Sequence, residues 1–377
     1  MTHRERVLCA LAHKQPDRIP IDLGSSRDSS IVSGGYDRLK KHFNVTGNNV
    51  ITNRMMQTVE VDEKILNALD IDVAAVMPPA PDSGKDVEME GNSYKDEWGV
   101  VRTRPEGAAY YDQTGYPLSG DITSEDIKKY KWPDVKDKGR IRGLKEKVKK
   151  LRASSDRALV LNMPSAIIHV SQYLRGYEDW FVDSGINEPL FEELLDKVLE
   201  VNLGVCEELL KEVGSDVDIL IAADDIGLQD RLMLSEDKYR KLIKPRHKKY
   251  FALMHKLSNA KVFYHTCGAV SSIIGDFIEI GVDILNPIQV SATGMDPVKL
   301  KQNFGKDICF WGGIDTQHIL PHGTVKEVEK EVERMIEALG KDGGYVLGAV
   351  HNIQPDVPAE NIIAMFKHAA GYKPKFN

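Results

Sequence analysis

The feature that most constrains this chain is a series of short apolar runs separated by amphipathic stretches. The runs lie at Val73 to Val76, Ala158 to Leu161, Ile219 to Ala223, Val262 to Tyr264, Asp283 to Leu285, Ile308 to Trp311 and Tyr345 to Leu347. A strand with one face in water alternates apolar and polar residues, whereas a strand covered on both faces does not. These runs therefore read as strands of a buried parallel sheet. Between them, Ser235 to Leu257, Val270 to Ile280, Pro297 to Gln302 and Val325 to Leu339 are amphipathic helical stretches. Strand–helix alternation repeated this often predicts an α/β fold. Arg18-Ile19-Pro20-Ile21-Asp22 adds a weaker extended run, and eight such units make a (β/α)8 TIM barrel.

A barrel of this kind takes ~250 residues before insertions, and the chain has 377. The surplus falls between about Pro78 and Asp134, where Glu97 to Thr103 reads as hairpin strands. No repeat, low-complexity segment or Pro/Gly-rich linker divides the sequence, so residues 1–377 are expected to form a single domain with an early insertion. At its start, Thr2 and Glu5 have capping-box spacing ahead of Val7, Leu8 and Leu11.

Several function classes are excluded by composition. The formal net charge is −7, and the Lys145 to Lys150 cluster sits on a helical pattern as a solvated face. No basic surface is available to neutralise nucleic-acid phosphates. Cys9, Cys206, Cys267 and Cys309 have no disulfide-like spacing, which suits a reducing compartment. No stretch approaches the ~18 uninterrupted apolar residues of a membrane helix. The charged N-terminus is not followed by a signal-peptide core, so a cytoplasmic location is expected. No G-x-S-x-G elbow, H-E-x-x-H helix or nucleotide fingerprint after a first strand occurs.

In a barrel, the C-terminal ends of the strands face the active site. Five consecutive late runs end in polar groups: Asp224-Asp225, His265-Thr266-Cys267, Asn286 to Gln289, Gly312 to Gln317, and His351 to Gln354. The sharpest signal is His265-x-Cys267, because residues two apart in extended chain point to the same side. Imidazole and thiolate are zinc donors, and a catalytic zinc takes three protein ligands and keeps one position open. His351, after the last run, can supply the third. The same spacing also suits a hydrogen-bonding histidine beside a small core cysteine.

Asp224 and Asp225 read either as a carboxylate pair for acid–base work or as a helix cap. Asn286 and Gln289 read as a hydrogen-bonding floor for a polar ligand, or as groups that fix loops. Asp315 and Gln354 join them as substrate-binding candidates at neighbouring strand ends. Gly312-Gly313 allows a tight turn or a close backbone approach. His318 and His322 read as surface loop residues.

Thr2-His3-Arg4-Glu5-Arg6-Val7-Leu8, His13-Lys14-Gln15-Pro16-Asp17-Arg18-Ile19-Pro20, Gly214-Ser215-Asp216 before Asp224-Asp225, His265-Thr266-Cys267-Gly268, Gly281 to Pro287, Phe310 to Asp315 and Gly343 to Pro358 occur in this order. Together they resemble the uroporphyrinogen decarboxylase family, and within it the corrinoid-dependent methyltransferase branch. The resemblance spans nearly the whole chain and implies a (β/α)8 barrel. In that branch, zinc activates a thiol, and a methyl group is exchanged with a corrinoid on a partner protein. The His-x-Cys motif of the branch supplies zinc ligands, which implies that role for His265 and Cys267. Its third ligand is typically a Cys, where this chain has His351.

The resemblance leaves three readings. The first is a zinc methyltransferase, with Asp224 or Asp225 orienting or taking a proton. The second is a porphyrinogen carboxy-lyase. The third is a non-catalytic tetrapyrrole- or corrinoid-binding protein. The carboxy-lyase branch opens with an arginine-rich segment that grips substrate carboxylates. Here Pro20-Ile21-Asp22-Leu23-Gly24 stands in its place, and Arg54 is the nearest lone arginine. The pocket is therefore expected to lack an arginine cluster. The expected partners are a small-molecule substrate, a corrinoid protein and a second copy of the chain in a homodimer.

Overall fold

The computed structural model describes residues 1–164 and 166–376. Seven parallel strands form one sheet: β1 (Val73–Val76), β2 (Ala158–Asn162), β3 (Ile219–Ala223), β4 (Lys261–His265), β5 (Ile284–Asn286), β6 (Cys309–Trp311) and β7 (Tyr345–Val346). Their order in space follows their order in the chain, as right-handed βα crossovers produce. Every residue of β2 and β3 is buried, which accounts for the missing alternation.

The extended segment at 18–22 closes the ring. Ile21 forms a parallel bridge with Leu347, and Asp22 N–H donates to the Leu347 carbonyl at 2.8 Å. On its other side, the Asp72 N–H donates to the Ile21 carbonyl at 3.0 Å. The fold is TIM-barrel-like. The N-terminal end of this closure is clamped by charge. Buried Asp72 accepts from Arg6 and Arg18, each at 2.6 Å, and from the Ile21 N–H at 2.8 Å.

The helical expectations hold with local changes. The first helix, His3–Leu11, opens with the Thr2/Glu5 capping box. The stretch from Ser235 contains a π turn at Tyr239–Ile243 before the helix Lys244–Leu257. Pro245 has no N–H to return to a carbonyl one turn back, and the chain widens ahead of it. Ile319–His322 is a short helix, so His322 is helical rather than in a loop.

The region between Pro78 and Asp134 holds a four-stranded antiparallel sheet: Val87–Met89, Ser93–Lys95, Val101–Thr103 and Asp112–Gly115. The expected hairpin is there, but Glu97-Trp98-Gly99 is its turn rather than strand. Asp96 accepts from the Trp98 and Val100 N–H groups at 3.0 Å each, an Asx-type arrangement that competes with strand pairing. Among the described residues, no helix is long and apolar enough to cross a membrane. All four cysteines are free.

Candidate metal centre and its cavity

His265 ends β4, and Cys267 follows it by two residues on the same side. His351 lies in the loop after β7. The donor atoms of the three all lie within 4.8 Å of one another. Cys267 Sγ is 3.5 Å from His265 Nε2, and the two imidazole rings meet edge to face with centroids 5.6 Å apart. A close backbone contact holds Cys267 in place. Gly268 has φ +93°, and a Cβ there would meet the Gly227 carbonyl carbon at 2.4 Å. The turn after Cys267 thus packs directly on the turn after Asp225.

The donor set suits zinc. Asn286 Oδ1 is 2.6 Å from His265 Nδ1, and its amide nitrogen donates to the Trp311 carbonyl at 3.1 Å. That second bond orients the amide, so Nδ1 carries the hydrogen and Nε2 keeps its lone pair for a metal. Burial, and then the His265 ring, hold His351 below its ordinary 6.5, which leaves it a neutral donor. Burial, with Asp225 and Asp28 nearby, pushes the Cys267 thiol well above its ordinary 9.0. A divalent cation offsets that cost by displacing the thiol proton.

The two adjacent carboxylates part company. Asp224 is 0% exposed and turns away from the barrel axis. It accepts from the Ile167 N–H at 2.6 Å, the His169 N–H at 3.0 Å and His247 Nε2 at 3.0 Å. It therefore pins the start of the helix Ile168–Arg175 and does not line the cavity. Asp224 Oδ1 also lies 3.9 Å from His169 Nδ1, on the ring whose Nε2 Asp225 approaches, so the two carboxylates flank one imidazole from different sides.

Asp225 is the one that faces in. It accepts from the Cys267 N–H at 2.8 Å and lies 3.4 Å from His169 Nε2. Burial opposes charge on His169. The hydrogen bond and charge of Asp225, with Asp224 and Asp28 behind it, outweigh burial and raise the ring to about 9. For Asp225, burial is likewise outweighed by His169 and then His265, and its carboxyl sits well below the usual range. The Asp225 backbone N–H donates to His169 Nε2 at 3.2 Å, so the neutral ring accepts there, whereas the charged ring gives its Nε2–H to the carboxylate.

These groups open into a cavity of about 830 Å³ that His265, His351, Asp225, His169 and Asp28 line. Tyr173, Tyr177, Trp98, Met55 and Met77 form much of its apolar wall. The four expected substrate-binding residues are absent from that lining. Asn286 is committed to His265 and Trp311. Gln289 accepts from the Gly268 N–H at 2.7 Å and donates to Gln229 at 3.1 Å. Asp315 caps its own turn through the Gln317 and His318 N–H groups at 2.6 and 3.0 Å. Gln354 donates to the Asn352 carbonyl at 2.8 Å and to the Tyr110 hydroxyl. All four fix loops.

The arginine expectation also needs correction. Arg27, Arg54, Arg102 and Arg140 all line the cavity. Three are matched by acids: Arg54 by Glu88 at 2.7 Å, Arg102 by Asp96 at 3.0 Å, and Arg140 by Glu97 at 2.5 Å. Sequence reasoning named Arg54 but missed Arg102 and Arg140, which come from or beyond the insertion and reach the cavity only through the fold. Arg27 and Asp28 were findable. They follow the extended run at 18–22, and the polar-strand-end argument used for the later runs applies equally there.

A family model described as uroporphyrinogen decarboxylase (URO-D) matches residues 110–372. The chain belongs to the uroporphyrinogen decarboxylase family. Over its full length it is similar to the solved structure of a methyltransferase from Methanosarcina mazei, with a TM-score of 0.69, 19% identity and 98% of each chain covered. It is also 26% identical over 100 residues to a uroporphyrinogen decarboxylase from Wolinella succinogenes. That match spans 26% of either protein, about a quarter of the relative's length. At such identities the structural likeness bears on the fold.

Proposed function

We propose that this chain is a zinc-dependent methyltransferase. It exchanges a methyl group between a small substrate, or a thiol or folate acceptor, and a corrinoid carried by a partner protein. The observation that carries the proposal is the convergence of His265, Cys267 and His351 within 4.8 Å beside a large cavity at the strand ends. The Methanosarcina mazei methyltransferase shares the whole-chain fold, which supports the same reading. Zinc held there would act as a Lewis acid that lowers the pKa of a bound thiol or hydroxyl.

The chain's own residues do the rest. Asn286 sets the His265 tautomer. The His169–Asp225 pair holds a proton at Nε2 on the cavity wall, where it can be passed to a leaving group. Tyr173, Trp98 and the methionines exclude water from the reacting atoms. We take residues 1–377 as one domain with an early insertion, working in the cytoplasm, where Cys267 stays reduced.

Metal analysis of protein purified without chelator tests the proposal, paired with an assay of methyl transfer to free cobalamin. Close to one zinc per chain is expected. Absence of metal from both native protein and protein refolded with zinc would sink the mechanism.

One observation favours a second reading, porphyrinogen decarboxylation: four arginines on the cavity wall suit a polycarboxylate substrate. It ranks second because three of them are already neutralised by Glu88, Asp96 and Glu97. Efficient conversion of uroporphyrinogen to coproporphyrinogen by pure protein would reverse the ranking.

A further inference from the structure

Among the described residues, every acid lining the cavity but one has a cationic partner. Arg54, Arg102 and Arg140 have carboxylate partners, and Asp225 has His169. Asp28 has no such partner. It is 4% exposed, it lines the cavity, and its Oδ2 is buried without a hydrogen-bond partner among the described residues. Arg27, its neighbour in the chain, donates to the Met163 carbonyl at 2.7 Å and forms no ion pair with it among the described residues. A buried carboxylate left without a partner is costly, and native sites retain one where a ligand supplies the missing group.

The loop that presents Asp28 is built to hold it still. Ser26 Oγ accepts from the Asp28 and Ser29 N–H groups at 3.1 and 3.0 Å. The Arg27 N–H donates to Asn162, at the end of β2, at 3.1 Å. Asn352, beside His351, accepts from the Ser30 N–H at 2.8 Å and donates to the Arg27 carbonyl at 2.9 Å. The loop carrying Asp28 and the loop carrying the third metal donor are therefore tied together. Beneath them Asp22 accepts from the Trp311 indole at 2.8 Å and from the Ser25 N–H at 3.1 Å.

We propose that Asp28 is the recognition residue for a cationic nitrogen, and that the small substrate of this cavity is an amine or methylated ammonium compound. The assignment names the substrate class of the methyl-transfer site and rests on that reading of it. A carboxylate oxygen with no donor supplies the counter-charge. Tyr173 is already covered by the His169 ring and by Arg102, but Tyr177 and Trp98 also line the cavity, and aromatic surfaces suit alkylated ammonium groups, which lose little hydration on contact with them. A neutral ligand of the same shape would leave Oδ2 unpaired and bind less well.

Calorimetric titration of zinc-loaded protein with choline, and with its uncharged isostere 3,3-dimethylbutan-1-ol, isolates the charge. Methylammonium and acetate complete the set. Choline or methylammonium is expected to bind, and choline to bind at least ~10-fold more tightly than the isostere. Asp28→Asn should abolish that difference while zinc content and circular dichroism stay unchanged. Equal binding of choline and its isostere would overturn the assignment. So would a difference that survives in Asp28→Asn, acetate binding where neither cation does, or zinc loss in Asp28→Asn, which would give the carboxylate to the metal. Choline discrimination in protein that takes up no zinc would sink the methyltransferase reading and leave the ligand class standing. Zinc without discrimination would do the reverse.

Discussion

The Asn286 side chain joins the His265 ring to the barrel wall: its Oδ1 lies 2.6 Å from Nδ1, and its amide nitrogen donates to the Trp311 carbonyl at 3.1 Å. Because a carbonyl cannot donate, that second bond fixes which end of the amide meets the ring. The ring must then present Nε2 toward Cys267 and His351. A residue outside the donor set thus decides whether His265 can act as a ligand.

Replacing Asn286 by Ala should free the ring to turn and to change tautomer. Zinc affinity is expected to fall by about 10–100-fold, measured by competition with a chromophoric chelator. The thermal midpoint should drop as well, since the Trp311 carbonyl loses a buried partner worth about 1–3 kcal/mol. Unchanged zinc affinity would mean that the ring is held by packing alone.

Cys267→Ser should reduce zinc affinity by orders of magnitude and leave the barrel folded. A serine hydroxyl is not deprotonated as a thiol is, and the residue sits at the strand ends rather than inside the packed core. Metal analysis and circular dichroism check the two halves of this expectation. Full zinc and full activity would reduce Cys267 to a small packing residue.

His169 should titrate near 9 in metal-free protein, as read by NMR of its ring protons. Its raised value means that its contribution to stability is complete below its ordinary 6.5 and is lost as pH rises through about 9. Asp225 has the opposite sign: its contribution is present above its ordinary 3.8 and disappears as pH falls through its depressed value. The pair is fully formed between those two ordinary values. Asp225→Asn should move the His169 midpoint down and keep zinc bound. An unmoved midpoint would show that another carboxylate, Asp224 or Asp28, holds the ring charged.

Asp224→Asn should behave differently from its neighbour. An amide nitrogen would face donors that now converge on a carboxylate from Ile167, His169 and His247. A loss of about 2 kcal/mol or more is expected, visible in urea denaturation at constant slope. Loosening the start of the helix Ile168–Arg175 should also displace His169. If Asp224→Asn keeps full stability while turnover alone falls, its place is in the chemistry after all.

Local order in this chain was largely set by the sequence alone. The absence of alternation in runs such as Ala158 to Leu161 marked strands covered on both faces, and Thr2 with Glu5 marked a helix start. Both rest on forces acting within a few residues. The His265-x-Cys267 geometry belongs here too, because two residues of extended chain suffice to put both donors on one side. Only the tertiary structure decided which polar groups share a space. Asp224 and Asp225 are indistinguishable in the sequence, and the side each faces depends on how β3 sits between its neighbours and on His247 from a distant helix. Asn286 reads as a pocket residue until Trp311 is seen to hold its amide. Arg102, Arg140 and His169 reach one cavity from three separate segments, and no local pattern records a distance closed only when the barrel closes.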